Sequence, residues 1–143
     1  MGPTHEVAAE EYVIDASAAF EYLLNTPKGQ RIAELIDDAP PIAPEMLDAE
    51  VLSALRSAVM RGEIDEAQAL TALEDLADWP IERVSHRFLV RSAWRFRHNV
   101  SAYDALYIAL AHQRSVTVLT TDDALAGAPA SVLGVVVMNV GVD

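Results

Sequence analysis

The sequence contains no cysteine. Disulfides, thiolate metal sites and a cysteine nucleophile are thereby excluded. A reducing compartment is compatible with this composition but is not required by it. Long hydrophobic runs are also missing: no stretch approaches the roughly 20 apolar residues that a membrane helix needs. Met1–Glu11 lacks a basic segment followed by an apolar one, so no secretory leader is expected. A soluble, cytoplasmic chain without membrane association is the expectation. Positive charge is scarce, with 10 Lys and Arg against 22 Asp and Glu and a net charge of −12. On that sum alone nucleic acid is a poor partner, because phosphate binding needs a positive surface. The distribution tells against the sum, since Arg83, Arg87, Arg91, Arg95 and Arg97 supply half of the basic residues within one short segment. The histidines, His5, His86, His98 and His112, have no metal-ligand spacing.

With 143 residues, 52% of them hydrophobic, the chain can bury a substantial single core. Residues 1–10 read as a flexible arm and residues 11–143 as one domain. Glu11–Asp15 is a short apolar run ending in an acid, predicted as a strand. Ala16–Asn25 reads as a helix stopped by Pro27, and Gly29–Asp37 as another. A very short strand is expected around Ile42 and Ala43. Leu47, Val51, Leu55 and Val59 recur every four residues and define a helix over Glu45–Arg61 that Gly62 closes. Asp65, with Gln68 three residues on, caps a helix to Asp78. Ile81–Val84 is a strand. Ser85 is expected to cap a helix running to about His98, and Ser101 one over Ala102–Gln113. Val116–Leu119 is a β-branched strand, Asp122–Ala126 a short helix, Gly127–Pro129 a turn and Val135–Met138 a last strand. Strands alternating with helices imply an α/β fold with a mostly parallel sheet. The first and fourth strands are almost wholly apolar, as parallel strands covered on both faces should be. Both lead into acids, and in such sheets sites lie at the carboxyl ends of strands.

Four acids stand out, each with a plainer role open to it. Asp15 ends the first strand and equally suits a helix N-cap. Glu50 lies in a helix where Glu45 and Asp48 compete with it for any role. Asp104 sits in a helix apolar nearly all round, where an unpaired acid is costly, although it also fits a capping box with Ser101. Asp122 follows Thr120 and Thr121 and can cap a short helix, and Asp123 beside it is an alternative. Clustered carboxylates repel unless protons or cations intervene. Oxygen-only ligands suit a hard cation such as Mg²⁺ or Mn²⁺, which supports hydrolysis of a phosphodiester without a protein nucleophile.

The segments Val-Ile-Asp15-Ala-Ser-Ala, Glu50-Val-Leu-Ser-Ala-Leu-Arg, Ser-Ala-Tyr-Asp104-Ala-Leu-Tyr-Ile-Ala-Leu-Ala and Leu-Thr-Thr-Asp122-Asp-Ala-Leu together resemble the PIN-domain family, and its VapC toxin branch most. The likeness runs from about Glu11 to Val140, and the Tyr-Asp-Ala-x-Tyr-x-Ala-Leu-Ala segment is its most specific part. The resemblance implies a three-layer α/β/α fold with a mostly parallel sheet. It implies an Mg²⁺- or Mn²⁺-dependent endoribonuclease whose metal-site acids are Asp15, Glu50, Asp104 and Asp122. It further implies a cognate antitoxin that holds the toxin inactive, and a homodimer. The chain departs from the pattern at Asp123, where this branch is often basic.

Arg87, Arg91 and Arg95, four apart, are expected to share one helical face leading toward Asp104 and to guide an RNA backbone. Phe88, Leu89 and Trp94 are expected in the core. Ser17 and Thr120 are candidates for orienting the acids or a water, and Asn99 for lining the same cleft. Phe20, Leu23, Leu24, Ile32, Leu35 and Ile36 form a further candidate surface for an antitoxin helix or a second copy. A PIN-like nuclease of RNA maturation or flap DNA cleavage, or a catalytically inactive binding module, are the competing readings.

Overall fold

The structure is a computed structural model and describes residues 10–141. The arm expected over residues 1–10 lies outside the described residues except for Glu10. Five strands, β1 (Tyr12–Ile14), β2 (Ile42–Pro44), β3 (Glu82–Val84), β4 (Thr117–Thr120) and β5 (Val137–Asn139), form one sheet in the order β3-β2-β1-β4-β5. Every pairing is parallel. Val13, Ile14, Val118 and Leu119 are fully buried at its centre, which explains why these strands carry no alternation of polar and apolar residues.

Helices cover both faces. Helices α1 (Ala16–Leu23), α2 (Pro27–Leu35), α3 (Leu47–Met60) and α4 (Glu66–Asp78) pack among themselves, with α1 against β4. On the sheet also lies α6 (Ala102–Arg114), against β1, β2 and β4, and α5 (Val90–Ala93) packs on α6. The short α7 (Asp123–Ala126) and α8 (Ala130–Leu133) lead into β5, and α8 was not expected from the sequence. The three-layer α/β/α arrangement is as anticipated, with strand limits displaced by one or two residues. No helix among the described residues is long and apolar enough to cross a membrane.

Three local readings need correction. Pro27 does not stop α1. It is the first residue of α2, where its missing N–H costs nothing, and Thr26 caps that helix by accepting from the Gly29 amide at 3.1 Å. Ser85 stands at the N-cap position but makes no side-chain capping bond, and the expected helix to His98 is broken into a 3-10 turn at His86–Phe88, α5, and a second 3-10 turn at Trp94–Phe96. Leu89, at φ −114°, marks the first break. Arginines four apart would repel along a regular helix, and the segment instead anchors itself through buried Leu89, Ala93 and Phe96. Phe88 and Trp94 are therefore not core residues, being 63% and 67% exposed. Of the proposed docking residues, Ile32 and Ile36 are buried core.

Helices α1 and α2 cross at Gly29. A Cβ at that position would lie 2.9 Å from the Tyr22 Cα and still closer to the Glu21 carbonyl. These are backbone atoms that cannot swing aside. Gly29→Ala is expected to destabilise the fold by about 3 kcal/mol, measured as a lower urea midpoint at unchanged slope; a midpoint equal to wild type would contradict this close crossing.

Candidate active site

The chain runs outward from β1 to β2 and β3, then returns to place β4 on the other side of β1. The crevice between β1 and β4 is thus the topological switch point, where open α/β sheets bind ligands. Pairing of Ile14 with Leu119 sets the register. The Asp15 amide extends that ladder by donating to the Leu119 carbonyl at 3.1 Å. Asp15 consequently emerges beside Thr120, and both are buried, at 6% and 0% exposure.

Asp15 performs its local duty as well. It is the N-cap of α1, and its Oδ1 accepts from the Ala18 amide at 3.0 Å and from the Ser17 hydroxyl at 2.7 Å. Ser17 Oγ also lies 3.2 Å from Thr120 Oγ1 and accepts from the Thr121 amide at 2.9 Å. Thr120 Oγ1 accepts in turn from the Asp122 amide at 2.9 Å. Ser17 and Thr120 are therefore the stitching that ties β1, α1 and the start of α7 together. Asp122 caps α7 through the Ala124 amide at 2.9 Å and remains exposed.

Asp104 occupies the first turn of α6, half-buried, with its amide donating to Ser101 Oγ at 3.1 Å. Glu50 comes from the first turn of α3, and its Oε1 accepts from the Tyr107 hydroxyl at 2.6 Å. Tyr107 is fully enclosed and sits one turn beyond Asp104 on α6. Burial pushes its pKa well up, and the negative charges of Glu50, Asp15 and Asp104 push it further. Tyr107 is thus a neutral donor facing three of the four acids.

Burial raises the pKa of Asp15 above the ordinary carboxylate range against the lowering effect of its hydrogen bonds to Thr120, Ala18 and Ser17, and the charge of Asp104 raises it further. Asp104 is raised by burial and then by the charge of Asp122. Asp15 thus feels Asp104, Asp104 feels Asp122, and Tyr107 links Glu50 to Asp15 and Asp104. Among the described residues no set of three or more carboxylate or histidine donors is already gathered at metal-coordinating spacing. Mutual repulsion is sufficient reason. The donors are all oxygens, the set that a hard divalent cation takes.

The competing acids are directed elsewhere. Asp48 is held by Arg83, whose Nε donates to both its oxygens at 3.0 and 2.8 Å. Arg83 also donates to the carbonyls of Trp79 and Leu76 at 3.2 and 2.7 Å. It is a structural brace between β3, α3 and α4. Asp123 accepts from Asn139 Nδ2 at 2.7 Å, which turns it toward β5. Glu45 is exposed, its amide joined to the Val84 carbonyl at 2.9 Å. Asn99 is exposed, and its amide donates to the Phe96 carbonyl at 2.9 Å. Arg87, Arg91 and Arg95 are all exposed, but the broken helix denies them the single regular face expected.

Two supporting residues escaped the sequence reading. Tyr107 was visible only as a member of the apolar α6 pattern. His86 had no metal spacing to flag it, yet its Nε2 accepts from the Met46 amide at 3.1 Å and so secures the entrance to α3, which has no side-chain cap of its own.

The sequence profile of the PIN domain family matches residues 12–130, and the chain belongs to that family. Within it, the chain is similar to proteins named Ribonuclease VapC. It is 42% identical over 122 residues to Ribonuclease VapC1 of Mycobacterium tuberculosis, spanning 84% of this chain and 92% of that protein. Ribonuclease VapC12 of the same organism is 33% identical over 114 residues, spanning 80% and 88%. Ribonuclease VapC3 is 36% identical over 120 residues, spanning 83% and 88%.

The raised carboxyl pKa values have a consequence for stability in chelator. Because the folded state holds these protons more tightly than the unfolded chain, stability falls as pH rises through the folded-state pKa. Asp15→Asn retains the capping oxygen and removes the charge. It is expected to raise Tm by roughly 2–4 °C at pH 7, with the gain vanishing below the unfolded carboxylate pKa of about 3.9. Asp15→Ala also loses the cap, at a cost of about 1 kcal/mol. A lower Tm for Asp15→Asn at pH 7 would show that the crevice does not penalise its charge.

Proposed function

We propose that the chain is an endoribonuclease dependent on Mg²⁺ or Mn²⁺, the toxin of a toxin–antitoxin pair. The observation that carries this reading is the 42% identity to a protein named as a ribonuclease, supported by the β1–β4 pairing that brings the strand ends leading to Asp15 and Asp122 side by side and by the Tyr107 bond that ties Glu50 to the helix of Asp104. Asp15, Glu50, Asp104 and Asp122 would hold the ion. When bound, it supplies Lewis acidity for hydrolysis of a phosphodiester and offsets the charge of the transition state. Ser17 and Thr120 fix the Asp15 carboxylate and the turn that carries Asp122. Tyr107, protonated throughout the physiological range, orients Glu50 by donating to one oxygen and leaving the other open. Asp122 is favoured over Asp123 as the last ligand, since Asn139 engages Asp123.

RNA follows as substrate from the arginine-rich segment before α6 as well as from the relatives' names. Arg87, Arg91 and Arg95 attract the backbone to a protein that is otherwise acidic. Restraint by a cognate antitoxin, a homodimeric state and residence in the cytoplasm belong to the same reading. The half-buried Phe20, Leu23, Leu24 and Leu35 of α1 and α2 offer apolar surface for the first two.

Purified protein incubated with a mixed RNA pool is expected to cut RNA with Mg²⁺ or Mn²⁺ and to stop in chelator. Asp104→Asn is expected to lose at least about a hundredfold of that activity. A divalent ion at a hundred times its Kd is expected to stabilise the wild type by about 2.7 kcal/mol, most of which Asp104→Asn forfeits. Cleavage that survives both the chelator and the substitution would reject the mechanism. For the arginines, Arg87→Ala with Arg91→Ala is expected to weaken RNA binding and to reduce the slope of log K on log salt by about 1–2; an unchanged slope would remove them from the RNA path.

A further inference from the structure

Between the α5 segment and the start of α6 lies an apolar groove of about 310 Å³. Val90, Ala93, Trp94 and Arg97 line one wall, and Ala105 and Leu106 of α6 the other. Ala105 directly follows Asp104 in the chain. Trp94 is 67% exposed in a segment whose own core contacts are made by Leu89, Ala93 and Phe96, so folding does not require its ring there. The Arg97 guanidinium lies 5.0 Å from the centroid of that ring and is held by its bond to the Trp94 carbonyl at 2.9 Å.

We propose that this groove receives an unpaired base of the RNA substrate, stacked on Trp94 with Arg97 beside the adjoining phosphate. The inference rests on the ribonuclease reading and adds a base-binding residue to it. An exposed indole with a guanidinium against it presents a π-face and a positive charge together, the combination that binds single-stranded nucleic acid whatever its sequence. Charge decides between occupants. Arg97 lines the groove, and Arg91 and Arg95 are exposed on the same short segment, so a protein of net charge −12 offers positive charge here to a polyanion. A second copy related by a two-fold axis would set this basic face against itself. Ala105 in the groove wall follows Asp104 directly in the chain, so a base stacked there lies at the same turn of α6 that carries one of the proposed metal-holding acids. An aromatic platform at that point confines cleavage to RNA whose bases are unstacked, because a duplex offers no free π-face.

The test uses the full chain in chelator with a short unpaired RNA and a hairpin of the same composition. The protein has two tryptophans. Trp79 is buried and stacked on Tyr22 at 4.7 Å, so quenching by RNA reports Trp94. Unpaired RNA is expected to quench emission and the duplex stem is not. Trp94→Leu, which keeps apolar bulk, is expected to lose the quench and bind unpaired RNA about tenfold more weakly, while Trp94→Phe stays within about threefold. With metal restored, KM for Trp94→Leu rises by the same factor and kcat holds. Equal RNA affinity for Trp94→Leu and wild type overturns the proposal, and if the wild type still cuts RNA the ribonuclease reading survives it. Should Trp94→Leu instead turn a dimer into a monomer without altering RNA affinity, the groove is a seat between copies and the proposal falls. Quenching and its loss in Trp94→Leu, with no cleavage by the wild type, uphold the groove and reject the nuclease.

Discussion

Everything at the candidate site depends on the parallel pairing of β1 with β4. That pairing brings Asp15 and Asp122, 107 residues apart in the chain, to the same edge of the sheet. The Asp15 amide continues the ladder, and the side chains of Ser17 and Thr120 bridge the two strand ends. Without that register the carboxylates would lie on separate surfaces and their mutual repulsion would not arise. With it, negative charge is held in a partly dry crevice, at an electrostatic cost that the folded chain carries until protons or a cation relieve it.

Each acid sits at the first turn or cap of a helix. Asp15 caps α1, Glu50 and Asp104 lie in the first turns of α3 and α6, and Asp122 caps α7. Helix N-termini favour negative charge, so the fold partly compensates the repulsion it creates. The plain structural roles and the proposed chemical ones are therefore not alternatives. One oxygen of Asp15 serves the Ala18 amide and the Ser17 hydroxyl, and the same division of labour holds for Asp122, whose Oδ1 caps α7. Such double use explains how a chain of this size assembles a charged centre without buried side-chain polar atoms left unpaired among the described residues.

The basic segment before α6 shows the opposite economy. Its buried residues, Leu89, Ala93 and Phe96, hold it on the core, while its arginines and two large aromatics face outward. Arg83 alone is drawn inward, to Asp48 and two carbonyls. An acidic protein that exposes aromatic rings under guanidinium groups in this segment has a surface of mixed apolar and positive character there.

The sequence by itself determined the α/β class, the buried central strands, the caps at Asp65 and Ser101, and four acids at strand ends and helix starts. These are local properties: apolar runs, periodicity and capping act over a few residues and are legible at that range. Only the tertiary structure gave the neighbouring acids their different partners. Arg83 holds Asp48 from 35 residues away, Asn139 holds Asp123 from 16, and Tyr107 reaches Glu50 across 57. It also decided that the arginine segment breaks and that His86 secures α3. Such outcomes are set by partners brought together through sheet order, and side-chain spacing along the chain contains no measure of that order.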